Sequence, residues 1–155
     1  MLDFRVGHAT HPDWRAALAL AGMQIDAGRR APELAANPPN LGFVYFTEAY
    51  LPHAAALLAA LQERWPGTAW VGSVGVGVCA TAVEYSDEPA LVLMLGSLPA
   101  ASFEVFSGVR KLQHADAWTA LVHADPATPD LGELIDELSD RIGSGYLFGG
   151  LAAAQ

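Results

Sequence analysis

WVGSVGVGVC, residues 70–79, is the stretch on which the fold turns. Gly72, Gly75 and Gly77 stand among valines, and the run closes on Cys79, the only cysteine of the chain. A dinucleotide fingerprint places its glycines in a strand-to-helix turn, where helix amides face a pyrophosphate. Here the order is Gly-x-x-Gly-x-Gly, the reverse of that fingerprint, and Cys79-Ala80-Thr81-Ala82-Val83 continues as strand rather than opening a helix. No Gly-Lys-Ser or Gly-Lys-Thr occurs, so a phosphate-binding loop is not indicated either. The stretch reads as strand material from Thr68 to about Tyr85, bent near Gly75. Glycine inside strands marks a bulge, a bend or a close approach to the main chain. A bare bend and a pair of strands whose exposed amides and carbonyls hold a small polar ligand both fit.

Outward from this stretch, DFRVGH (3–8) predicts a first strand and residues 12–29 a helix, with Pro12 at its first position. Trp14, Leu18, Ala21 and Ile25 recur at helical spacing on one face. RRAPELAANPPN (29–40) is a turn-rich connection. LGFVYF (41–46) and ALVLML (90–95) are continuous apolar runs, as expected of strands covered on both faces. Between them, Thr47 or a neighbour opens a helix with Ala54, Leu57, Leu58 and Leu61 as its buried stripe, stopped by Trp65-Pro66-Gly67. SFEVFSG (102–108) and TALVHA (119–124) predict further strands. Asp130 and Glu133 match a capping box for a helix over about 130–141, lined by Leu131, Leu134, Ile135 and Leu138. YLFGG (146–150) predicts a last strand. Alternation followed by a succession of strands predicts an α/β fold, a mixed β-sheet flanked by helices in a single domain spanning 1–155. No internal repeat is visible.

Composition narrows the function classes. The 155 residues are 52% apolar and 16% charged, against roughly 25% charged in ordinary domains. That leaves a partly apolar surface suited to a partner domain or a second copy. The net charge is −9, and Lys111 is the sole lysine, so no basic cluster exists to meet nucleic acid or an anionic membrane. A lone cysteine cannot close an internal disulfide, and the N-terminal sequence carries no signal pattern. A cytoplasmic location is expected.

Among chemistry-bearing residues, Cys79 could act as a nucleophile with His123 as base and Asp125 or Glu84 orienting it, though a cysteine in an apolar run also serves as a small packing residue. His8 and His11 lie three apart at the first strand-to-helix junction, too few for a metal site. No cofactor is implied. Asp125-Pro126 suits a turn, and adjacent strand residues Glu84 and Tyr85 point to opposite sides.

In order along the chain, VGHA (6–9), LGFVYFTE (41–48), WVGSVGVGVC (70–79) followed by EYSDEPAL (84–91), VHADP (122–126) and FGGL (148–151) resemble the N-terminal domain of the FIST family of F-box and intracellular signal transduction proteins. The resemblance implies an intracellular sensory module that binds a small molecule, with amino acids or their derivatives as candidates, rather than an enzyme. Trp70, Gly72, Ser73, Gly75, Gly77 and Cys79 would form one wall, Glu84 or Asp125 would hold an ammonium group, and His8 and His123 would support. Family members continue into a C-terminal FIST domain or join other signalling domains, so either is an expected partner, as is a second copy of the chain. A chain ending at Gln155 is then a cut-down or stand-alone member.

Overall fold

In the computed structural model, which describes residues 4–27, 37–110, 112–113 and 117–152, the apolar run Ala90–Gly96 (β6) lies between two other strands. Its neighbours are β1 (Phe4–Thr10) and β2 (Leu41–Thr47), both antiparallel to it. The sheet is completed by β3 (Ala69–Gly75), parallel to β2, in the order β1-β6-β2-β3. This is the mixed sheet of an α/β protein. The described residues fall into two compact units, one up to Ala100 and one from Ala101 onward.

In the first unit, α1 (Trp14–Asp26) and α2 (Ala54–Arg64) cover one face of the sheet. Trp14, Leu18, Ala21 and Ile25 are all buried, together with Leu57 and Leu61 of α2 and Leu91, Leu93 and Leu95 of β6. Asp13 caps α1, whose first helical residue is Trp14 rather than Pro12. Its carboxylate accepts from the Arg15 amide at 2.9 Å, a service to an orphan helix donor that proline has no side chain to perform. Residues 28 and 29, expected to continue this helix, and 29–36 of the connection lie outside the described residues.

Thr47 does not cap a helix with its side chain. The buried hydroxyl donates to the Glu88 carbonyl at 2.8 Å and accepts from the Ala90 amide at 2.9 Å, tying β2 to the entry of β6. A six-residue 3-10 turn, Glu48–His53, follows, anchored by Tyr50, whose phenol donates to the His11 carbonyl at 2.5 Å. Leu58 is 40% exposed, unlike its stripe neighbours Leu57 and Leu61. The turn after Trp65 closes on Gly67, at φ +81.

The other face of the sheet carries a hairpin of β4 (Gly77–Ala80) and β5 (Val83–Ser86). Val78 and Tyr85 of this hairpin pack with Ala90 and Val92 into a second, smaller core.

In the second unit, β7 (Thr119–Ala124) and β8 (Tyr146–Leu151) are parallel and linked through α3 (Leu131–Asp140). SFEVFSG is not a strand. After a short 3-10 turn, Ala100–Ser102, its backbone makes local bonds instead, with Ser107 and Arg110 exchanging amide-to-carbonyl bonds of 2.7 and 3.2 Å. The capping box also fails. Asp130 sits at φ 52 in the left-handed region, whereas a capping side chain needs extended backbone, and it makes no cap bond. Of the apolar face of α3, Leu138 is buried while Leu134 and Ile135 are each 39% exposed.

Candidate functional site

Strand alternation sorts the glycine stretch into two sides of the sheet. Trp70, Gly72 and Val74 turn toward the helices, where Trp70 and Val74 pack on the main core and Trp70 meets Trp65 with ring centroids 6.0 Å apart. Ser73 and Gly75 turn toward the hairpin. The residues expected to make one wall are therefore divided between two faces.

Gly72 has a packing reason to be glycine. It pairs with Val44 of β2, and a Cβ built on it would stand 1.7 Å from the Val44 carbonyl oxygen. No side chain fits there. Gly75 and Gly77 flank Val76, where the chain leaves the sheet and folds back as the hairpin. A Cβ on Gly77 would meet the Tyr85 carbonyl oxygen at 2.9 Å.

The hairpin registers Cys79 against Glu84 and Val78 against Tyr85. Cys79 and Glu84 face solvent; Val78 and Tyr85 face the sheet. The Tyr85 hydroxyl lies 2.6 Å from His8 Nδ1, a hydrogen bond that joins hairpin to β1. His8 itself is held by Gln24 of α1, whose amide nitrogen donates to the His8 carbonyl at 2.7 Å and whose oxygen accepts from the His8 amide at 3.1 Å. Gln24 thus satisfies the main chain of His8 on the edge strand.

The ladder registers extend this pair into a row. His8 lies opposite Val92, Val92 opposite Tyr45, and Tyr45 opposite Ser73, all on the hairpin face. Burial raises the pKa of the Tyr45 phenol above 10.0, so it is neutral at physiological pH. The Ser73 hydroxyl donates to the Val74 carbonyl at 3.0 Å. On this sheet face the polar side chains of His8 and of the Tyr45–Ser73 pair thus stand on either side of Val92, with the phenol of Tyr85 meeting His8 from the hairpin. Sequence reasoning missed Tyr45 and Gln24 and treated Tyr85 only as a neighbour of Glu84. Tyr45 sits in an apolar run, and nothing local marks it as belonging to a polar row.

His11 lies apart from this row. Its amide donates to the Pro89 carbonyl at 3.1 Å, and its Nδ1 accepts from the Asp13 amide at 2.9 Å. His123 and Asp125 belong to the second unit. Asp125 forms a turn, its carboxylate accepting from the Ala127 amide at 2.8 Å and its carbonyl from the Thr128 amide at 2.9 Å. His123 lies on β7 opposite Gly150. Burial lowers its pKa from 6.5, because desolvation disfavours the imidazolium. The unfolded chain takes up that proton first as pH falls. The stabilising contribution of neutral His123 is thus present above 6.5 and is lost as pH falls through that value to the lower folded one. An NMR titration of the His123 ring protons is expected to give a midpoint below 6.5; a midpoint at or above it would contradict the burial.

An α/β module with a mixed sheet, a glycine-bent third strand and a hairpin laid back over that sheet is the class these features define. The model of the FIST N domain matches residues 40–155, and the chain belongs to the FIST family. The match begins at Asn40, so VGHA lies before it. Over 101 residues, 64% of this chain, it is 35% identical to the uncharacterized protein Mb0898c of Mycobacterium bovis, covering 25% of that protein. Over 96 residues, 62% of this chain, it is 35% identical to the uncharacterized protein Rv0628c of Mycobacterium tuberculosis, covering 24% of it. The chain thus spans about a quarter of the length of the curated relatives it matches. No solved structure matches. Among the described residues, no helix is long and apolar enough to cross a membrane.

Proposed function

We propose that this chain is a small-ligand-binding sensory domain of a signal transduction protein, acting by binding rather than catalysis, with amino acids or their derivatives as ligands. Membership of the FIST family supports the signalling role. The observation that carries the ligand reading is the row of His8, Tyr45 and Ser73 about Val92 on the hairpin face, with Tyr85 meeting His8.

Hydroxyl and imidazole groups suit a carboxylate or amide, whose oxygens take hydrogen bonds from them. Gly75 is in register with Thr47 of β2 and Gly77 with Ser86 of β5, where the hairpin leaves the sheet. Glu84 faces solvent on the outer side of the hairpin and so stands away from this row. The hairpin is joined to the sheet through a small core of four buried residues and the His8–Tyr85 bond, which makes it the element a ligand would displace or clamp. A signal arises when the ligand binds one placement of the hairpin better than another.

Thermal melting across a panel of amino acids and their amides tests this. A ligand present at about 100 times its Kd stabilises the folded state by about 2.7 kcal/mol, a shift of several degrees. At least one compound is expected to raise the melting temperature of the wild-type chain, with the shift lost in Ser73→Ala and Tyr45→Phe. A panel that leaves the wild type unmoved, or a shift that survives both substitutions, would overturn the assignment.

A further inference from the structure

The β4–β5 hairpin lies on the four-stranded sheet without being part of it. Among the described residues β4 pairs with β5 alone, and no main-chain to main-chain hydrogen bond joins 77–86 to the sheet. Side chains make the attachment: Val78 and Tyr85 pack on Ala90 and Val92, and the Tyr85 hydroxyl meets His8 Nδ1 at 2.6 Å. A two-residue turn, Thr81-Ala82, closes the hairpin, so its strands form one piece.

Both ends of this piece are fixed at the last residue of β2. On the way out, Gly75 is still in register with Thr47. On the way back, the buried Thr47 hydroxyl donates to the Glu88 carbonyl at 2.8 Å and accepts from the Ala90 amide at 2.9 Å. The end of β1 adds to the hold. The Thr10 hydroxyl lies 2.9 Å from the Pro89 carbonyl oxygen and 2.8 Å from a Glu88 carboxylate oxygen, and the His11 amide donates to that same carbonyl at 3.1 Å. The chain is therefore held as far as Gly75 and again from Glu88.

A bend stands between each fixed point and its strand. Val76 is 53% exposed and lies between Gly75 and Gly77, so no side chain on either neighbour restricts the turn. Asp87 stands at φ 58, in the left-handed region that few residues other than glycine enter. Hinges have this form: one or two residues at the ends of an element absorb the dihedral change, and the element keeps its own pairing.

We infer that the hairpin is a flap that swings as one piece about Val76 and Asp87, pivots at Thr47, and is latched shut by the Tyr85–His8 bond. Shut, it buries Val78 and Tyr85 on Ala90 and Val92. Open, it bares that apolar patch and releases the imidazole of His8. The flap supplies the moving part of the ligand response proposed above and rests on that reading for its purpose, not for its geometry.

Thiol labelling with no ligand present tests it. In a Cys79→Ser background, which removes the exposed native thiol, Val78→Cys probes the hairpin side of the patch and Val92→Cys the sheet side. Both valines are 6% exposed. Leu93→Cys, one residue on and 0% exposed on the helix side, is the reference for global unfolding. The reaction rate with a small disulfide reagent follows the fraction of molecules in which each thiol is bared. At low urea, positions 78 and 92 are expected to label faster than 93 and almost independently of urea, because lifting a hairpin exposes far less surface than unfolding. Adding Tyr85→Phe is expected to raise both rates about fivefold, the net worth of one hydrogen bond. Labelling at 78 and 92 as slow and as steep in urea as at 93 would overturn the flap, and rates unmoved by Tyr85→Phe would overturn the latch. Since no ligand takes part, either result is separate from the outcome of the melting panel.

Discussion

Gly72→Ala is expected to cost about 3 kcal/mol or more in urea unfolding, toward the upper end of what overpacking costs. The added Cβ would sit 1.7 Å from the Val44 carbonyl oxygen, 2.7 Å from its carbon and 3.1 Å from its nitrogen. All three are backbone atoms, so no rotamer change can make room, and β2 and β3 have to part where they are paired. That loss is a large share of the ~5–15 kcal/mol that stabilises a typical domain. Gly75→Ala is the control, because its nearest obstacle is the Gly77 carbonyl oxygen at 3.0 Å, close to a bend that can adjust. A midpoint for Gly72→Ala equal to that of Gly75→Ala would show that the strands are not so closely apposed.

Leu61→Ala is the second large effect, about 3 kcal/mol within the ~2–5 kcal/mol range for buried leucines. Leu61 is 0% exposed and belongs to the main core with Leu57, Trp65 and the leucines of β6, so its removal leaves a cavity bounded by packed side chains. Leu58→Ala, three residues earlier on the same helix, is expected to cost under about 1 kcal/mol, since Leu58 is 40% exposed and water already reaches it. Chemical denaturation of the two variants side by side checks the contrast. Equal losses would contradict the orientation of α2.

These two leucines show where sequence reading stops. Period alone assigns both to one stripe, because positions four and seven beyond Ala54 fall near the same side of a helix. Which edge of that stripe meets the sheet is fixed by how the helix lies on β2 and β6, a contact between segments far apart in sequence. The same limit explains SFEVFSG. Its composition suits a strand, but a strand exists only where a neighbour accepts its peptides, and Ser107 bonds Arg110 in a local turn instead. Asp130 and Glu133 have capping spacing, yet the backbone enters the helix at positive φ, which the sequence pattern does not encode.

The candidate site was legible in pieces. The bend near Gly75 and the strand before it follow from glycine and valine, but the turn at Thr81-Ala82, which makes a hairpin of what reads as one strand, does not. The opposed faces of Glu84 and Tyr85 follow from the period of a strand. What the residues do not reveal is that Tyr85 reaches His8, 77 positions away, or that Tyr45 and Ser73 extend that pair into a row.

By itself the sequence determined the α/β class, the order of most elements, the reading of 70–79 as bent strand, and the family, since each rests on local periodicity or on residues in a fixed order. Tertiary structure alone decided which strands are neighbours, which face each residue takes, and why residue 72 must be glycine. The physical reason is that pairing and burial are relations between distant segments, set by closing the chain on itself, and no window of adjacent residues contains them.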